Sequence, residues 1–245
     1  MKSVILAAGK GTRMKELTRE IPKPMLPVAG RPALAHILAG LQAAGVDEHV
    51  IITGYLAEAI ESGLGDGSRF GWRVHYVRQE VQDGTGKAPE LARSWLGEDP
   101  FFLTYGDILV SPHNYAALRR TLEGGAAAVL GVWEGEDVSK GAAVMLDEQS
   151  RVLDIIEKPP PGTVSSRWYN AGVYIFTPLL FEYTRRLGKS PRGEYELTAA
   201  IRDMVAAGEP VMACRLTGFW IDLRDAEALA RAQGFAAEPP HSPSA

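Results

Sequence analysis

A glycine-containing loop near the N-terminus has the residue types needed to bind phosphate. An apolar strand is predicted over residues 3–8, and Gly9-Lys10-Gly11-Thr12-Arg13 follows it directly. The two glycines allow the backbone to approach a phosphate closely and to direct N–H groups toward it. The loop can therefore hold the triphosphate of a nucleotide.

Three kinds of nucleotide site compete for this loop. A dinucleotide-binding loop needs a small residue where Met14 stands and an acid about 20 residues further on, where the chain has Val28-Ala29-Gly30. A P-loop needs lysine and then serine or threonine after its last glycine, whereas Thr12-Arg13 stands here. Both are disfavoured, and another type of nucleotide site is favoured.

Two aspartates each follow a short apolar segment. Asp107 comes just after the apolar run Phe101–Tyr105, and Asp222 follows Phe219-Trp220-Ile221. Open α/β sheets place ligand-binding groups at such strand ends, and two carboxylates with phosphate oxygens and waters suit octahedral Mg²⁺. We therefore predict a magnesium site at Asp107 and Asp222. The alternative for each is a turn-forming or helix-capping aspartate.

The elements that would position these residues alternate between strand and helix in the first half of the chain. Strands are predicted over residues 3–8, 50–53, 72–77 and 101–105, and helices over 32–44, 55–64 and 89–96. This alternation is typical of βαβ units around a parallel sheet. The expected fold class is therefore α/β.

The second half of the chain is richer in β-strands. Strands are predicted over residues 126–133, 142–146, 152–156 and 169–176, and helices over 196–207 and 224–234. No repeat or linker divides the chain, so residues 1–235 are predicted as one domain. Residues 236–245, rich in proline and serine, are predicted as a disordered tail.

The composition restricts the class of protein. A formal net charge of -4 provides no broad positive field for nucleic acid, and the single cysteine, Cys214, fits a reduced, cytoplasmic compartment. The apolar run at residues 4–8 is shorter than the roughly 7 to 15 residues of a signal-peptide core, and no run approaches the roughly 20 needed to cross a bilayer. We expect a cytoplasmic protein without nucleic-acid or membrane partners.

Several separated motifs resemble those of the sugar-1-phosphate nucleotidyltransferases. The two-part signature is Leu6-Ala7-Ala8-Gly9-Lys10-Gly11-Thr12-Arg13-Met14 and Pro22-Lys23-Pro24-Met25-Leu26-Pro27-Val28. It is followed, in the order of the family, by Gln79 with Gly84-Thr85-Gly86, Tyr105-Gly106-Asp107, Glu157-Lys158-Pro159, Asn170-Ala171-Gly172 and Gly218-Phe219-Trp220-Ile221-Asp222. The resemblance covers residues 1 to about 235.

The resemblance implies both a fold and a reaction. The fold is a Rossmann-like nucleotidyltransferase fold, with a mixed, mainly parallel open sheet flanked by helices and a β-rich sugar-binding half. The implied enzyme joins a nucleoside triphosphate to a sugar 1-phosphate with the help of Mg²⁺ and releases pyrophosphate. A homo-oligomer is allowed, and the oligomeric state is left open.

The resemblance also assigns candidate residues to the reaction. Arg13 is expected on the triphosphate and the leaving pyrophosphate, Lys23 on a phosphate, and Lys158 on the sugar phosphate. The prolines on either side of Lys23 stiffen the segment that presents its ammonium group. The candidate nucleotide-binding residues are Leu6, Ala8, Gly9, Gly11, Thr12, Gln79, Gly84 and Thr85.

The resemblance also implies which residues contact the base and the sugar. The amide of Gln79 carries an acceptor and a donor that complement uracil or thymine, so UTP or dTTP is favoured; a flipped amide also fits cytosine. Gln82 is a lower-ranked competitor for this role. The candidate sugar contacts are Tyr105, Gly141, Glu157, Asn170 and Gly172. The sugar itself is left open.

Two other functions compete with this enzyme. A catalytically silent regulatory subunit is disfavoured because Arg13, Lys23 and the two aspartates are all present. A cytidylyltransferase that acts on an alcohol phosphate is disfavoured by Glu157-Lys158 and Asn170-Ala171-Gly172, which are typical of sugar-using members. Both stay open as alternatives.

Overall fold

The computed structural model describes residues 1–11, 14 and 18–237. The strands are β1 (Lys2–Ala7), β2 (Pro27–Val28), β3 (Arg31–Pro32), β4 (Glu48–Thr53), β5 (Arg73–Arg78), β6 (Phe101–Tyr105), β7 (Ile108–Val110), β8 (Ala128–Glu134), β9 (Ala142–Leu146), β10 (Val152–Glu157), β11 (Trp168–Phe176), β12 (Val211–Arg215) and β13 (Trp220–Asp222). The helices are α1 (Ala33–Ala43), α2 (Ala57–Leu64), α3 (Arg93–Leu96), α4 (His113–Leu122), α5 (Leu180–Thr184), α6 (Leu197–Ala206) and α7 (Ala226–Ala232).

A nine-stranded mixed sheet forms the centre of the fold. Its main path runs β10-β9-β11-β6-β1-β4-β5, and β8 pairs with β11 and with β12. Strands β5, β4, β1 and β6 are parallel, and Ile5 of β1 lies opposite Ile51 of β4. Strands β1 and β6 are apolar on both faces because helices cover both sides of the sheet. The mixed α/β fold predicted from the sequence is confirmed.

Strand β11 joins the parallel half to the β-rich half. It is antiparallel to β6, β8 and β9, and its register against β8 shifts between Asn170 and Tyr174. Gly172 lies in this irregularity with a φ of 74°, a conformation that favours glycine. The strand therefore bends beside Tyr105 at the end of β6.

Two hydrophobic clusters pack against the sheet. One contains buried residues of α1, α2, α4 and α7, and the other contains residues 88–96 with α5 and α6. This is the layered arrangement expected for an α/β domain. None of the helices in the described part of the chain combines the length and hydropathy that a membrane crossing requires.

Two local predictions differ from the structure. Residues 88–96 form a 3₁₀ turn over Ala88–Ala92 followed by only the short α3, which ends at Gly97 with a φ of 67°. At the other end, a 3₁₀ turn over Gln233–Ala237 includes the first two residues of the predicted tail. Residues 238–245 lie outside the described residues.

His49, a fully buried residue of β4, makes the stability depend on pH. Its Nδ1 lies 2.7 Å from Oγ of Ser3, and burial lowers the pKa of its imidazole from 6.5 to about 4. The unfolded chain binds a proton near pH 6.5, whereas the folded chain does so only near pH 4. This contribution to stability is therefore complete above pH 6.5 and is lost as the pH falls toward 4.

We expect His49 to lower the free energy of unfolding by about 2 kcal/mol between pH 7 and pH 5. Urea unfolding of the wild type and of His49→Gln at both pH values measures this difference, since the glutamine does not titrate. An equal pH dependence in the two proteins would contradict the assignment.

Candidate functional site

A cleft of about 840 Å³ opens at the carboxyl ends of the parallel strands β1, β5 and β6. Open α/β sheets bind ligands at this edge. Eleven of the candidate residues line the cleft, namely Leu6, Ala8, Gly9, Gly11, Lys23, Gln79, Gly84, Thr85, Tyr105, Asp107 and Asp222. Thr12 and Arg13 lie outside the described residues, so their assignments stay predictions.

The backbone of the glycine loop is held by neighbouring strand ends. Ala8 accepts a hydrogen bond from the N–H of Tyr55 at 3.1 Å, and Leu6 accepts one from Gly106 at 2.9 Å. A Cβ on Gly9 would meet no atom within 4 Å, whereas a Cβ on Gly11 would lie 3.0 Å from Cγ of Lys23. With a φ of +62°, Gly11 brings the loop close to the lysine stem.

Lys23 is the first residue of a short 3₁₀ turn, lies between two buried prolines and lines the cleft. Its Nζ lies 3.1 Å from Oδ2 of Asp107, and the two side chains are 13% and 26% exposed. This pair places a cation and a carboxylate inside the cleft, where partial burial strengthens their interaction.

A two-stranded ladder brings Asp107 and Asp222 together. Strands β7 and β13 are antiparallel, Asp222 pairs with Ile108, and the N–H of Leu223 donates to the carbonyl of Asp107 at 3.0 Å. Both aspartates therefore lie at the same side of the cleft, although they are distant in sequence.

These two aspartates fit a magnesium ion. Carboxylate oxygens are the ligands that Mg²⁺ prefers, and the ion commonly uses one or two of them with phosphate oxygens and waters. Within residues 1–11, 14 and 18–237, no group of three or more His, Cys, Asp or Glu side chains is arranged to hold a metal. An ion at Asp107 and Asp222 would therefore need substrate phosphates to complete its coordination.

Gln79 lies where β5 ends and faces the loop that contains Gly84. Its N–H donates to Thr53 at 2.8 Å, and its side-chain Nε2 donates to the carbonyl of Gly84 at 3.3 Å. Gly84 has a φ of 120°, which only glycine adopts readily. Gln82 also lines the cleft, so both glutamines are available to a base.

Glu157 and Asn170 lie to the side of the cleft and do not line it. The Glu157 oxygens accept from Nη2 of Arg192 and from Oγ1 of Thr198, each at 3.2 Å. Burial raises the pKa of the Glu157 carboxyl, and the charge of Arg192 opposes this shift. Nδ2 of Asn170 donates to Oη of Tyr174 at 2.7 Å, while its buried Oδ1 has no partner.

The other sugar-side candidates surround the same region. Tyr105 is the only one of the described sugar-side candidates that lines the cleft. Gly172 leaves room for its ring, because a Cβ there would lie 2.8 Å from Cδ2 of Tyr105. Lys158 is exposed, and its N–H donates to Gly141, which itself packs against the ring of Tyr169. Gly172 and Tyr169 of β11 therefore connect Tyr105 with Gly141 and Lys158.

The cleft also contains residues for which the sequence motifs predict no role. They include Lys10, Glu80, Val81, Ile108 and Glu194. Glu194 belongs to the charged stretch Arg192-Gly193-Glu194-Tyr195-Glu196, which has no helical or strand period. The density of charge in this stretch could have indicated a functional loop. Its position at the cleft, however, depends on the fold.

Comparisons with known proteins agree with this geometry. The chain is 32% identical over 222 residues to a glucose-1-phosphate thymidylyltransferase of Streptomyces griseus, covering 91% of this chain and 62% of that protein. It is 33% identical over 227 residues to the UTP–glucose-1-phosphate uridylyltransferase AglF of Haloferax volcanii, covering 91% of both. The chain thus spans about three fifths of the Streptomyces relative.

A solved structure from Bacillus anthracis, described as a glucose-1-phosphate thymidylyltransferase, superposes with a TM-score of 0.87 at 25% identity. The superposition covers 99% of this chain and 97% of that one. The nucleotidyl transferase family model matches residues 2–238. The chain therefore belongs to the nucleotidyl transferase family, and its resemblance to the sugar-1-phosphate nucleotidyltransferases is confirmed.

Proposed function

We propose that this chain transfers a nucleotidyl group from a nucleoside triphosphate to a sugar 1-phosphate and releases pyrophosphate. Mg²⁺ is the proposed metal, and UTP or dTTP is the proposed nucleotide. The observation that carries the proposal is the Lys23–Asp107 pair at 3.1 Å in a cleft that Asp222 and the Gln79–Gly84 contact also line. The thymidylyl and uridylyl activities in the names of the relatives support the choice of nucleotide.

The reaction must bring two anions together. An oxygen of the sugar phosphate attacks the α-phosphorus, and pyrophosphate leaves in line, so neutralising charge is the main requirement. Lys23 supplies a cation inside the cleft, and Asp107 and Asp222 would hold Mg²⁺. When bound, the ion neutralises charge on the phosphates and orients the reacting oxygens.

The remaining assignments complete the proposal. Arg13 acts on the triphosphate and leaving pyrophosphate, and Lys158 acts on the sugar phosphate. Glu157 and Asn170 contact the sugar; the buried Oδ1 of Asn170, which lacks a partner, supports a polar ligand at that side. No covalent intermediate is required, because the incoming phosphate oxygen is itself the nucleophile.

The proposed reaction is tested by measuring pyrophosphate release over a grid of nucleoside triphosphates and sugar 1-phosphates. The rate of pyrophosphate release with UTP or dTTP should be well above the rate with ATP or GTP. A clear purine preference would overturn the base assignment, and preferential use of CTP with an alcohol phosphate would favour the cytidylyltransferase alternative. Absence of release with every pair would favour the silent subunit.

Gln79→Leu should raise the KM for the preferred nucleotide about tenfold or more, because a lost hydrogen bond leaves a polar group of the base unpaired at about 1–3 kcal/mol. Gln82→Leu is the matched control, since Gln82 lines the same cleft. A larger effect from Gln82→Leu would transfer the base-reading role to Gln82.

A cytoplasmic location, the absence of nucleic-acid and membrane partners, and the single domain over residues 1–235 stay part of the proposal.

A further inference from the structure

The backbone of Tyr195 holds the loop of residues 83–86. The N–H of Tyr195 donates to Asp83 at 2.7 Å, and its carbonyl accepts from Gly86 at 2.8 Å. Gly84 forms a parallel bridge with Tyr195, and a Cβ on Gly84 would collide with the carbonyl oxygen of Tyr195. The loop that lines the cleft beside Gln79 therefore takes its backbone conformation from contact with Tyr195.

Two lysines hold the ring of Tyr195. Nζ of Lys87 lies 5.4 Å from the ring centroid, and Nζ of Lys189 lies 5.3 Å from it. Lys87 also donates to the carbonyl of Arg185 at 2.9 Å. Lys87 follows the loop, so its cation–π contact joins the loop to the segment of Tyr195 again, whereas the Lys189 contact lies within that segment.

Residues near Tyr195 in the chain also contact Glu157, one of the candidate sugar-binding residues. Arg192 pairs with Glu196 at 2.9 Å and with Glu157 at 3.2 Å. The N–H of Leu197 lies 3.3 Å from Oγ1 of Thr85, and Thr198 donates to Glu157 at 3.2 Å. Residues 192–198 thus contact both the loop at 83–86 and the carboxylate of Glu157.

We infer that Tyr195 is a positioning residue that couples nucleotide binding to sugar-phosphate binding, an inference that rests on the proposed function. A nucleotide in the cleft fixes the loop at 83–86, and the loop fixes the backbone of Tyr195. Arg192 and Glu196 are then held in place beside Glu157. Because coupling between two sites is reciprocal, each substrate increases the affinity for the other by the same factor.

The coupling is measured by isothermal titration of glucose 1-phosphate into the protein with and without α,β-methylene-UTP, which cannot release pyrophosphate. N-acetylglucosamine 1-phosphate replaces it if the substrate grid selects that sugar. The nucleotide should tighten sugar-phosphate binding in the wild type by about tenfold, within the usual range of coupling. Tyr195→Ala should reduce the factor to below about threefold, whereas Tyr195→Phe keeps the ring and should keep the factor.

The Lys87→Met/Lys189→Met double variant removes both ammonium groups but keeps the ring of Tyr195, so an intermediate factor is expected. If Tyr195→Ala does not fold, the double variant provides the test instead. A coupling factor equal to that of the wild type would then overturn the inference. The inference is likewise overturned by a wild-type factor near one, or by a factor in folded Tyr195→Ala equal to that of the wild type. Normal turnover with equal coupling in all variants rejects only this inference, whereas the absence of pyrophosphate release by the wild type rejects the proposed function.

Discussion

Changing Asp107 or Asp222 to Ala should lower kcat by about 10³-fold or more, a loss of at least ~4 kcal/mol of transition-state stabilisation. The ladder of β7 and β13 holds the two residues at one side of the cleft, and the proposed Mg²⁺ would contact both carboxylates. Because the two then act as a unit, the double variant should lose little more activity than the worse single one. Steady-state pyrophosphate release measures all three variants. EDTA should abolish the wild-type activity, and added Mg²⁺ should restore it.

Asp225 provides a matched control three residues beyond Asp222. Its Oδ1 accepts from the N–H of Ala228 at 2.8 Å and caps α7. Asp225→Ala should therefore destabilise the fold by about 1 kcal/mol and keep its turnover. If Asp222→Ala behaves in the same way, losing thermal stability while retaining turnover and metal dependence, the two-aspartate site is wrong and only Asp107 stays as a protein ligand.

Lys23→Met should lower kcat by about 10²- to 10³-fold, because it removes a fixed cation from the region where phosphate charge develops. The variant should also bind Mn²⁺ more tightly in the absence of substrate. Nζ of Lys23 lies 3.1 Å from Oδ2 of Asp107 and would compete with the proposed metal for that oxygen. Free Mn²⁺ measured by electron paramagnetic resonance reports this second effect independently of turnover.

Lys10→Met is the control for Lys23→Met, because Lys10 is an exposed lysine on the glycine loop of the same cleft. Its turnover should stay within about threefold of the wild type, as expected for a screened surface charge. A correctly folded Lys23→Met with near wild-type kcat would remove Lys23 from the mechanism. Melting curves on both variants separate loss of function from loss of fold.

The strands with continuous apolar runs were predictable from the sequence. The bounds of β6 and β9 agree with the prediction, and those of β1, β4, β5 and β11 differ from it by one or two residues. The runs of β1, β4, β6 and β11 are buried on both faces of the sheet, so the local pattern contains most of the information that specifies these strands. The order of the motifs likewise indicated that strand ends would hold the glycine loop and Asp107.

The short elements and their pairing were not predictable. Strands β7 and β13 contain three residues each, and neither was predicted, nor were β12, α4 and α5. A three-residue strand has too few positions to show a period, and its stability comes from a partner that is distant along the chain. The sequence therefore predicted a shared site for Asp107 and Asp222, but not the ladder of β7 and β13 that places them at one side of the cleft.

The sequence by itself determined which chemical groups are available: a glycine loop, cations at Arg13 and Lys23, two aspartates at strand ends and a glutamine near Gly84. Only the tertiary structure decided that Glu157 and Asn170 lie beside the cleft, and that Tyr195 contacts the loop at 83–86. The physical reason is that residue type and local period depend on neighbours along the chain. Contacts between distant segments depend instead on strand register, on the bend at Gly172 and on close backbone approach at Gly84.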